Sequence, residues 1–359
     1  MKFCPLRSPF PEVVVLACLL LLPIAEMLGW PVPGLYAAQL SNIFIFAILA
    51  LGLNVVVGYT GLLHLGIAAF FGIGAYITGI LTVPLYPFQI GFTAAIVLST
   101  LGAGLMGLVL GAPTLRLRGD YLALVTLGFG EVVRFSIRNL EEITAGTRGL
   151  NPVPSPSLAW TGLDLPRSAQ SYLLYFICLL LLAGVVVLLY NLERSRLGRS
   201  WMAIREDELA ASCMGVNAGR AKLSAFAIGA ALAGLAGSLY ATRLTSTAGP
   251  DAYSFSQSII MLCAIILGGL GSIRGTLFGV AILVGFDNIL APAMDQWLQE
   301  ADVNSSGSML LSFSGWRYMI FGLALILMMR FRPEGLLPST RVQRELHQTE
   351  DSLTASRGG

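Results

Sequence analysis

The stretch AQLSNIFIFAILALGLNVVVG, residues 38–58, contains no charged side chain and consists mostly of apolar residues. An α-helix needs about 20 such residues to cross the hydrocarbon core of a bilayer. The charge-free region extends well beyond this stretch, because no Asp, Glu, Lys or Arg occurs between Glu26 and Arg116. That distance accommodates about four membrane-crossing helices. The sequence therefore predicts a polytopic integral membrane protein.

The rest of the 359-residue chain continues this pattern, with 55% hydrophobic and 12% charged residues and a mean hydropathy of +0.76. Soluble domains contain roughly a quarter charged residues. Apolar segments bounded by charges or turn residues predict an all-α fold with about ten transmembrane helices, within a range of eight to ten. The segment 121–137 is the weakest of them because it contains Glu131 and Arg134. The predicted spans are residues 13–29, 38–58, 62–83, 89–111, 121–137, 171–190, 223–242, 257–272, 275–293 and 316–330.

Positive charges indicate the orientation of the spans, because Lys and Arg concentrate in cytoplasmic loops. If both termini are cytoplasmic, all but six of the 22 Lys and Arg residues fall on the cytoplasmic side. This bias favours ten spans, since the loss of one weak helix would invert every later segment. The six exceptions are Arg134, Arg138, Arg148, Arg167, Arg243 and Arg317.

The distribution of polar residues divides the chain into a membrane domain and a tail. Residues 1–338 are predicted to form the transmembrane domain, and residues 339–359, rich in Ser, Thr, Arg and Glu, to form a disordered tail. The connection 138–170 is rich in Pro and Gly and lies outside the cell in this topology. We interpret it as a candidate contact with a partner outside the membrane.

The chain has few groups with which to perform chemistry of its own. It contains only two lysines, Lys2 and Lys222, and lacks the G-x-x-x-x-G-K-[ST] pattern of a P-loop. A match to G-x-G-x-x-G at residues 102–107 lies within an apolar helix, which favours close helix packing. Two histidines and five cysteines without paired spacing predict neither a catalytic triad nor a disulfide framework. We therefore expect no enzymatic activity, cofactor, metal or nucleic-acid partner.

Polar side chains within the predicted spans are candidates for a translocation pathway, because polar groups at membrane depth are costly and often functional. The alternative for each is a hydrogen bond between helices. Glu131 also has a local alternative, an ion pair with Arg134 one turn further on. The candidates are Asn54, His64, Thr126, Glu131, Asp287 and Asn288.

Residues 193–222 form a dense island of charge in this apolar chain, with six basic and four acidic side chains. The pattern predicts a short helix, with the acidic run 206–208 at its positive N-terminal end and Gly215 as its C-terminal cap. One side of this helix is predicted to be apolar and to enter a groove on a partner. An ordinary solvated loop is the alternative. The residues that share the apolar side are Leu209, Ala210, Cys213 and Met214.

The sequence GRSWMAIREDELAASCMG, residues 198–215, resembles the cytoplasmic EAA loop of ATP-binding-cassette (ABC) importer permeases, in the form found in branched-chain amino acid permeases. Two positions depart from the family pattern: Leu209 stands where a Glu is usual, and Ile67 follows His64-Leu-Gly where a His is usual. Further segments resemble the same family, namely LGLNVVVGYTGLL at 51–63, AAFFGIGAY at 68–76, GDYLALVTLGFGE at 119–131, GTRGLN at 146–151 and LGGLGSIRG at 267–275.

This resemblance implies a permease subunit in a bacterial inner membrane that itself has no catalytic role. Its implied partners are two cytoplasmic ABC ATPase subunits, a second homologous permease and a periplasmic solute-binding protein. The short helix would receive the motion of one ATPase. The residues to which the resemblance assigns ATPase coupling are Arg205, Glu206, Glu208, Ala211 and Gly215.

The nearly charge-free spans favour a neutral or zwitterionic solute, since a charged cargo would require fixed counter-charges. Branched-chain or other hydrophobic amino acids are the first expectation, and urea or short amides the second. An ion-coupled secondary transporter is a further alternative, in which Glu131 and Asp287 would supply the coupling-ion site. That alternative does not account for the charged island.

We expect replacement of Ala211 or Gly215 by a bulky residue to uncouple ATP hydrolysis from uptake, because the coupling helix needs small residues for close approach to its partner. The protein should still reach the membrane. The measurement is ATP-driven uptake alongside membrane content, and wild-type uptake in both variants would contradict the assignment.

Overall fold

The computed structural model describes residues 36–114, 120–154, 167–300, 313–332 and 335–337. All regular secondary structure in these residues is helical, as the sequence predicts. The predicted first span, 13–29, and the predicted disordered tail, 339–359, lie outside the described residues.

The helices follow one another with short connections. The α-helices are α1 (Tyr36–Asn54), α2 (Ile67–Thr82), α3 (Phe92–Thr114), α4 (Asp120–Asn139), α5 (Glu141–Thr144), α6 (Arg167–Arg194), α7 (Arg196–Glu206), α8 (Glu208–Cys213), α9 (Ala218–Leu244), α10 (Phe255–Gly268), α11 (Ile273–Gly285), α12 (Ala291–Glu300) and α13 (Phe313–Phe331). Two π-helical segments, Val55–Tyr59 and Phe286–Leu290, continue α1 and α11, and short 3₁₀ turns occupy Gly146–Arg148 and Pro250–Tyr253.

Five helical segments among the described residues are long and apolar enough to cross a membrane: Gln39–Tyr59, Phe92–Pro113, Gln170–Arg194, Ala218–Leu244 and Ile273–Leu298. Three shorter apolar helices accompany them, Ile67–Thr82, Phe255–Gly268 and Met319–Phe331. Helix α4, which matches the predicted span 121–137, is not among these segments, and it contains Glu131, Arg134 and Arg138. The ten-span topology stays a prediction.

Helix α9 is the centre of the bundle and packs along α1, α2 and α3. Helix α1 is also an inner helix, since the four consecutive residues 48–51, which point to all sides of it, are fully buried. A helix that is apolar all round is expected in such a position. Helix α6 covers α1 from outside, and the hairpin of α10 and α11 packs against it from another direction.

Glycines allow the backbones of the inner helices to touch. A Cβ atom at Gly52 of α1 would lie 2.8 Å from the carbonyl oxygen of Gly229 in α9, and a Cβ atom at Gly229 would lie 2.8 Å from that of Gly52. Real Cβ atoms do not approach an oxygen so closely. Small residues at crossings are the usual means by which membrane helices gain packing energy. The abundance of glycine therefore reflects packing, as the sequence predicts.

Two predicted spans are interrupted in the structure, and these are corrections. The predicted span 62–83 is helical only from Ile67, because residues 61–66 are not helical and Gly61 has a φ of +70°. The predicted span 257–272 ends at Gly268, because Gly269 and Gly271 also have positive φ values of 124° and 75°. Such backbone conformations end a helix and favour glycine.

The two ends of α9 lie about 40 Å apart, given the 1.5 Å rise per residue of its 27 residues. Helices α7 and α8 lie near its first turns, where Lys222 pairs with Glu208; we call this region the α8 end. The segment after its last turn, residues 245–254, lies at the opposite end with Arg138. Among the basic residues whose side chains the structure describes, Lys222 and Arg138 therefore lie at different ends, as the predicted topology has them, whereas which end faces the cytoplasm stays a prediction.

We expect Gly229→Leu to destabilise the folded protein, because the new side chain has to push α1 away from α9. Overpacking of this kind typically costs about 1–3 kcal/mol. The measurement is the melting temperature in detergent. Gly184→Leu is the matched control, because a Cβ atom at Gly184 in α6 meets nothing within 4 Å. Equal melting temperatures for the two variants would contradict the packing argument.

Candidate functional site

Helix α7 is fixed to the bundle by a buried tryptophan. The hydroxyl of Ser195 caps the N-terminus of α7 by accepting from the backbone N–H of Gly198 at 3.3 Å. One and a half turns later, the indole Nε1 of Trp201 donates to the carbonyl oxygen of Ala221 in α9 at 2.9 Å. Trp201 is fully buried and stacks on Tyr59 of the π-helical segment after α1. Helix α7 therefore has a fixed position against α9 and the end of α1.

The predicted short helix is present as α8, and both of its ends are capped. The carboxylate of Asp207 accepts from the backbone N–H groups of Leu209 at 2.8 Å and Ala210 at 3.0 Å. At the other end, Gly215 has a φ of +84° and Val216 donates its N–H to the carbonyl of Ala211 at 3.0 Å. This arrangement is a Schellman motif. The six-residue helix is held by its caps, since an isolated helix of this length would not be stable in water.

Helix α8 turns one face inward and an apolar face outward. Ala211 is buried in the core, with 5% of its surface exposed, so its small size serves packing within the chain and the predicted reason, close approach to a partner, is wrong for this residue. Leu209 and Met214 are 69% and 85% exposed, and Ala210 and Cys213 are exposed beside them. We call Leu209, Ala210, Cys213 and Met214 the α8 face. The prediction that these four residues share one apolar side is confirmed.

Glu208, one of the predicted coupling residues, is engaged within the chain. Its carboxylate accepts from the Nζ of Lys222 at 2.7 Å, and Lys222 is only 4% exposed. A buried ammonium needs such a partner because desolvation of an unpaired charge is costly. The pair holds α8 against α9 and leaves the α8 face exposed to solvent. This face contains Leu209, at the position where the family usually has a Glu.

Arg205, a second predicted coupling residue, also points into the chain. Its Nη1 donates a short hydrogen bond to the carbonyl oxygen of Gly58. The stem of the side chain passes over Gly61, where an added Cβ atom would lie 3.1 Å from the Cγ of Arg205. Glu206, by contrast, is exposed at the end of α7. Arg205 and Glu208, two charged residues close to or within α8, therefore bond to other parts of the bundle.

Asn54 and Thr126 both hold irregular backbone in place. The Oδ1 of Asn54 accepts from the N–H of Gly271 in the loop between α10 and α11 at 3.0 Å, and Asn54 is fully buried. The hydroxyl of Thr126 in α4 accepts from the N–H of Leu65 at 3.1 Å. Unpaired backbone groups in an apolar environment are expensive, so these side chains replace the helical bonds that the breaks remove.

His64 lies within the non-helical segment 61–66 and is 1% exposed. Its ring lies against those of Phe70 and Phe226, with centroid distances of 5.8 Å and 5.3 Å. Neither ring nitrogen has a hydrogen-bond partner among the described residues. A buried polar group left unpaired costs about 1–3 kcal/mol. His64 is thus the least satisfied of the predicted pathway residues.

Glu131 belongs to an ion-pair cluster with Arg134, Arg138 and Asp251. Its carboxylate lies 2.7 Å from the Nη2 of Arg134, one turn further along α4. Arg134 also pairs with Asp251 at 2.9 Å, and Arg138 pairs with the same aspartate at 3.1 Å. The local ion pair that the sequence offers as an alternative is therefore present. The sequence pattern alone gave no sign of Asp251, which is 113 residues further along the chain than Arg138.

Asp287 and Asn288 lie in the π-helical segment after α11. The Oδ1 of Asn288 accepts from the Nδ2 of Asn42 in α1 at 3.0 Å, and the Oδ1 of Asn42 accepts from Arg243 of α9 at 3.2 Å. Asn42 was missing from the predicted candidates, although an amide within a charge-free span is the same signal that identified Asn54. This chain of polar groups joins α1, α9 and the π-helical segment after α11.

The predicted pathway residues do not converge on one point. Asn54 and His64 lie near the α8 end, and Thr126 contacts the segment that contains His64. Glu131 pairs with Arg134 and follows Gly130, which packs on Gly66, whereas Asn288 bonds to Asn42, the partner of Arg243 in the last turn of α9. Among the described residues, these side chains therefore take part in separate local interactions instead of one cluster.

The sequence of the chain matches known transport proteins. Residues 35–329 match the family model described as the branched-chain amino acid transport system permease component. The chain is 38% identical over 322 residues, 84% of its length and 70% of the relative's, to the high-affinity branched-chain amino acid transport system permease protein LivM of Escherichia coli K12. No solved structure matches at a significant level.

More distant relatives have related descriptions. The chain is 25% identical over 253 residues, 66% of its length and 79% of the relative's, to the permease protein LivH of the corresponding E. coli K12 transport system. It is 29% identical over 246 residues, 60% of its length and 66% of the relative's, to the fructose import permease protein FrcC of Rhizobium meliloti. From the extent of the family match and the identity to LivM, the chain belongs to the branched-chain amino acid permease family, a family of multi-pass membrane transport proteins.

Proposed function

We propose that the chain is one of two permease subunits of an ABC importer for branched-chain amino acids, in the bacterial inner membrane with both termini in the cytoplasm. A periplasmic binding protein delivers the solute, and two separate ATPase subunits supply the energy. The observation that carries this proposal is the α8 face. An apolar surface on a rigidly capped helix, in a permease family chain without a P-loop, is suited to receive motion from a partner.

The proposed substrate class follows from the relatives and from the absence of charge. LivM and LivH are named as permeases of branched-chain amino acid systems. No charged residue lies between Glu26 and Arg116, so α1, α2 and α3 provide no fixed charge for an ionic cargo. A zwitterion with an apolar side chain agrees with such a path. FrcC is named for fructose, a neutral solute, which keeps neutral cargo such as urea or short amides as the second candidate.

An ion-coupled mechanism receives less support from the geometry. Its coupling-ion site would need a carboxylate available at mid-depth. Glu131 instead pairs with Arg134, which also pairs with the 70% exposed Asp251. The carboxylate is therefore already compensated by a cation.

The substrate proposal is tested by uptake into proteoliposomes that contain the chain, its partner permease and both ATPases, with the binding protein added outside. The partners are to be sought among the genes adjacent to that of this chain. We expect ATP-dependent uptake of leucine, isoleucine and valine, and no competition by urea, acetamide or fructose. An ATPase variant that lacks its P-loop lysine is the control. ATP-independent uptake driven by an ion gradient would contradict the importer mechanism.

The docking surface is tested by Leu209→Asp and Met214→Asp. Each change places a charge on the α8 face without touching the core, because these side chains are 69% and 85% exposed. We expect each variant to be inserted normally but to retain at least about tenfold less ATPase in pull-downs, since burial of an uncompensated charge at an interface costs more than 1.4 kcal/mol.

Leu85→Asp is the matched control for this experiment. Leu85 is a leucine with 67% exposure, and its neighbour Tyr86 bonds to Ile143 at the opposite end of the bundle. The rate at which a thiol reagent labels the exposed Cys213 is a second measurement of docking, made in a chain whose four other cysteines have been replaced. Bound ATPase should slow its labelling. Equal ATPase retention by all three aspartate variants would exclude the α8 face as the docking surface.

A further inference from the structure

The side chain of Arg205 connects the region around α8 to two breaks in the transmembrane helices. Its guanidinium donates to the carbonyl of Gly58, in the π-helical segment that ends α1. The same Nη1 lies 3.1 Å from the position of a Cβ atom on Gly271, in the loop between α10 and α11. Arg205 is the penultimate residue of α7, and Asp207, two residues on, caps α8. Arg205 therefore links the junction of α7 and α8 to both breaks through one planar group.

The backbone segments that Arg205 contacts lie close to each other. A Cβ atom at Gly58 would lie 2.7 Å from the backbone nitrogen of Gly271. That nitrogen already donates to the side chain of Asn54. Gly61 has a φ of +70° and lies directly beneath the stem of Arg205. Since close-packed groups transmit displacement instead of absorbing it, a shift of Arg205 has to move the chain at Gly58 and Gly61.

The segment 61–66, which begins at this contact, carries His64 to the buried site between Phe70 and Phe226. It is not helical, and its far end is held where Leu65 donates to Thr126 and Gly66 lies against the backbone of Thr126. The two ring nitrogens of His64 lack partners among the described residues. A conformation in which His64 reaches water or a solute would satisfy them, so displacement of this segment removes an unfavourable burial.

We infer that Arg205 is a positioning residue of the transport cycle: it transmits the movement of α8 to the segment 61–66, which then exposes His64 to the translocation pathway. This inference rests on the proposed function, because the movement of α8 is that of the docked ATPase. It assigns Arg205 an action within the chain instead of a contact with the ATPase. It also makes His64 a pathway residue in only one state of the cycle, since His64 is buried in the present conformation.

The first experiment compares Arg205→Ala with Arg199→Ala in the complete transporter. Arg199 is the matched control, since it lies on the same helix and its Nη1 donates to a backbone carbonyl of the preceding turn, that of Arg194, at 2.9 Å. We expect Arg205→Ala to bind the ATPases as the wild type does, to hydrolyse ATP, and to lose at least about tenfold in solute moved per ATP. Arg205→Lys restores a donor but not the planar fork, so it should recover part of that ratio.

The second experiment reads the position of segment 61–66 directly. His64→Cys is introduced into a chain whose five native cysteines have been replaced, and N-ethylmaleimide labelling is measured with and without ATP and vanadate. We expect the labelling rate to change at least about tenfold between the two states. The same change should disappear when Arg205→Ala is added. A cysteine at Leu85, 67% exposed at the opposite end, should label equally in all conditions.

The outcomes separate this inference from the proposed function. If the wild-type complex shows no ATP-driven uptake, the proposed function fails. If it transports but Arg205→Ala keeps the wild-type ratio of solute to ATP, or His64→Cys labels at one rate in every state, the inference fails while the proposed function stands. Loss of ATPase binding by Arg205→Ala would also overturn it, because Arg205 would then act at the ATPase interface.

Discussion

The backbone contact between α1 and α9 is the interaction on which the rest of the structure depends. In a bilayer the hydrophobic effect does not drive one helix onto another, so close packing has to supply the attraction. Gly52 and Gly229 bring the two backbones together where any side chain would separate them. Helices α2 and α3 then pack on the same central helix, and the position of α7 follows from the bond of Trp201 to α9.

The sequence was sufficient to predict the helical class and most helix positions, because long apolar runs leave a membrane protein few alternatives. It failed where a helix breaks inside an apolar run. Residues 62–66 are as apolar as the helix that follows, and the break is stabilised by Thr126, a partner 61 residues from Leu65. Gly269 and Gly271 end α10 early in the same way. Hydropathy measures solvation and contains no information about such distant hydrogen bonds.

The candidate site was predictable to a similar extent. Local signals identified α8, its caps and its apolar side, because the residues that form them are neighbours in sequence. The inward orientation of Arg205 and Glu208 was not predictable, since their partners Gly58 and Lys222 come from other helices. The pathway residues show the same limit. Their polarity marked them as unusual, whereas only the fold shows that His64 lacks a partner and that Glu131 has one.

The buried pair of Glu208 and Lys222 constrains how this sequence can diverge. Lys222 is 4% exposed, so loss of Glu208 alone would leave an ammonium without its counter-charge, at a cost of about 3–5 kcal/mol. Replacement of both residues by apolar side chains of similar volume would remove the desolvation penalty as well. Among descendants of this chain, the two positions should therefore change together, and an apolar residue at 222 should accompany the loss of the acid at 208.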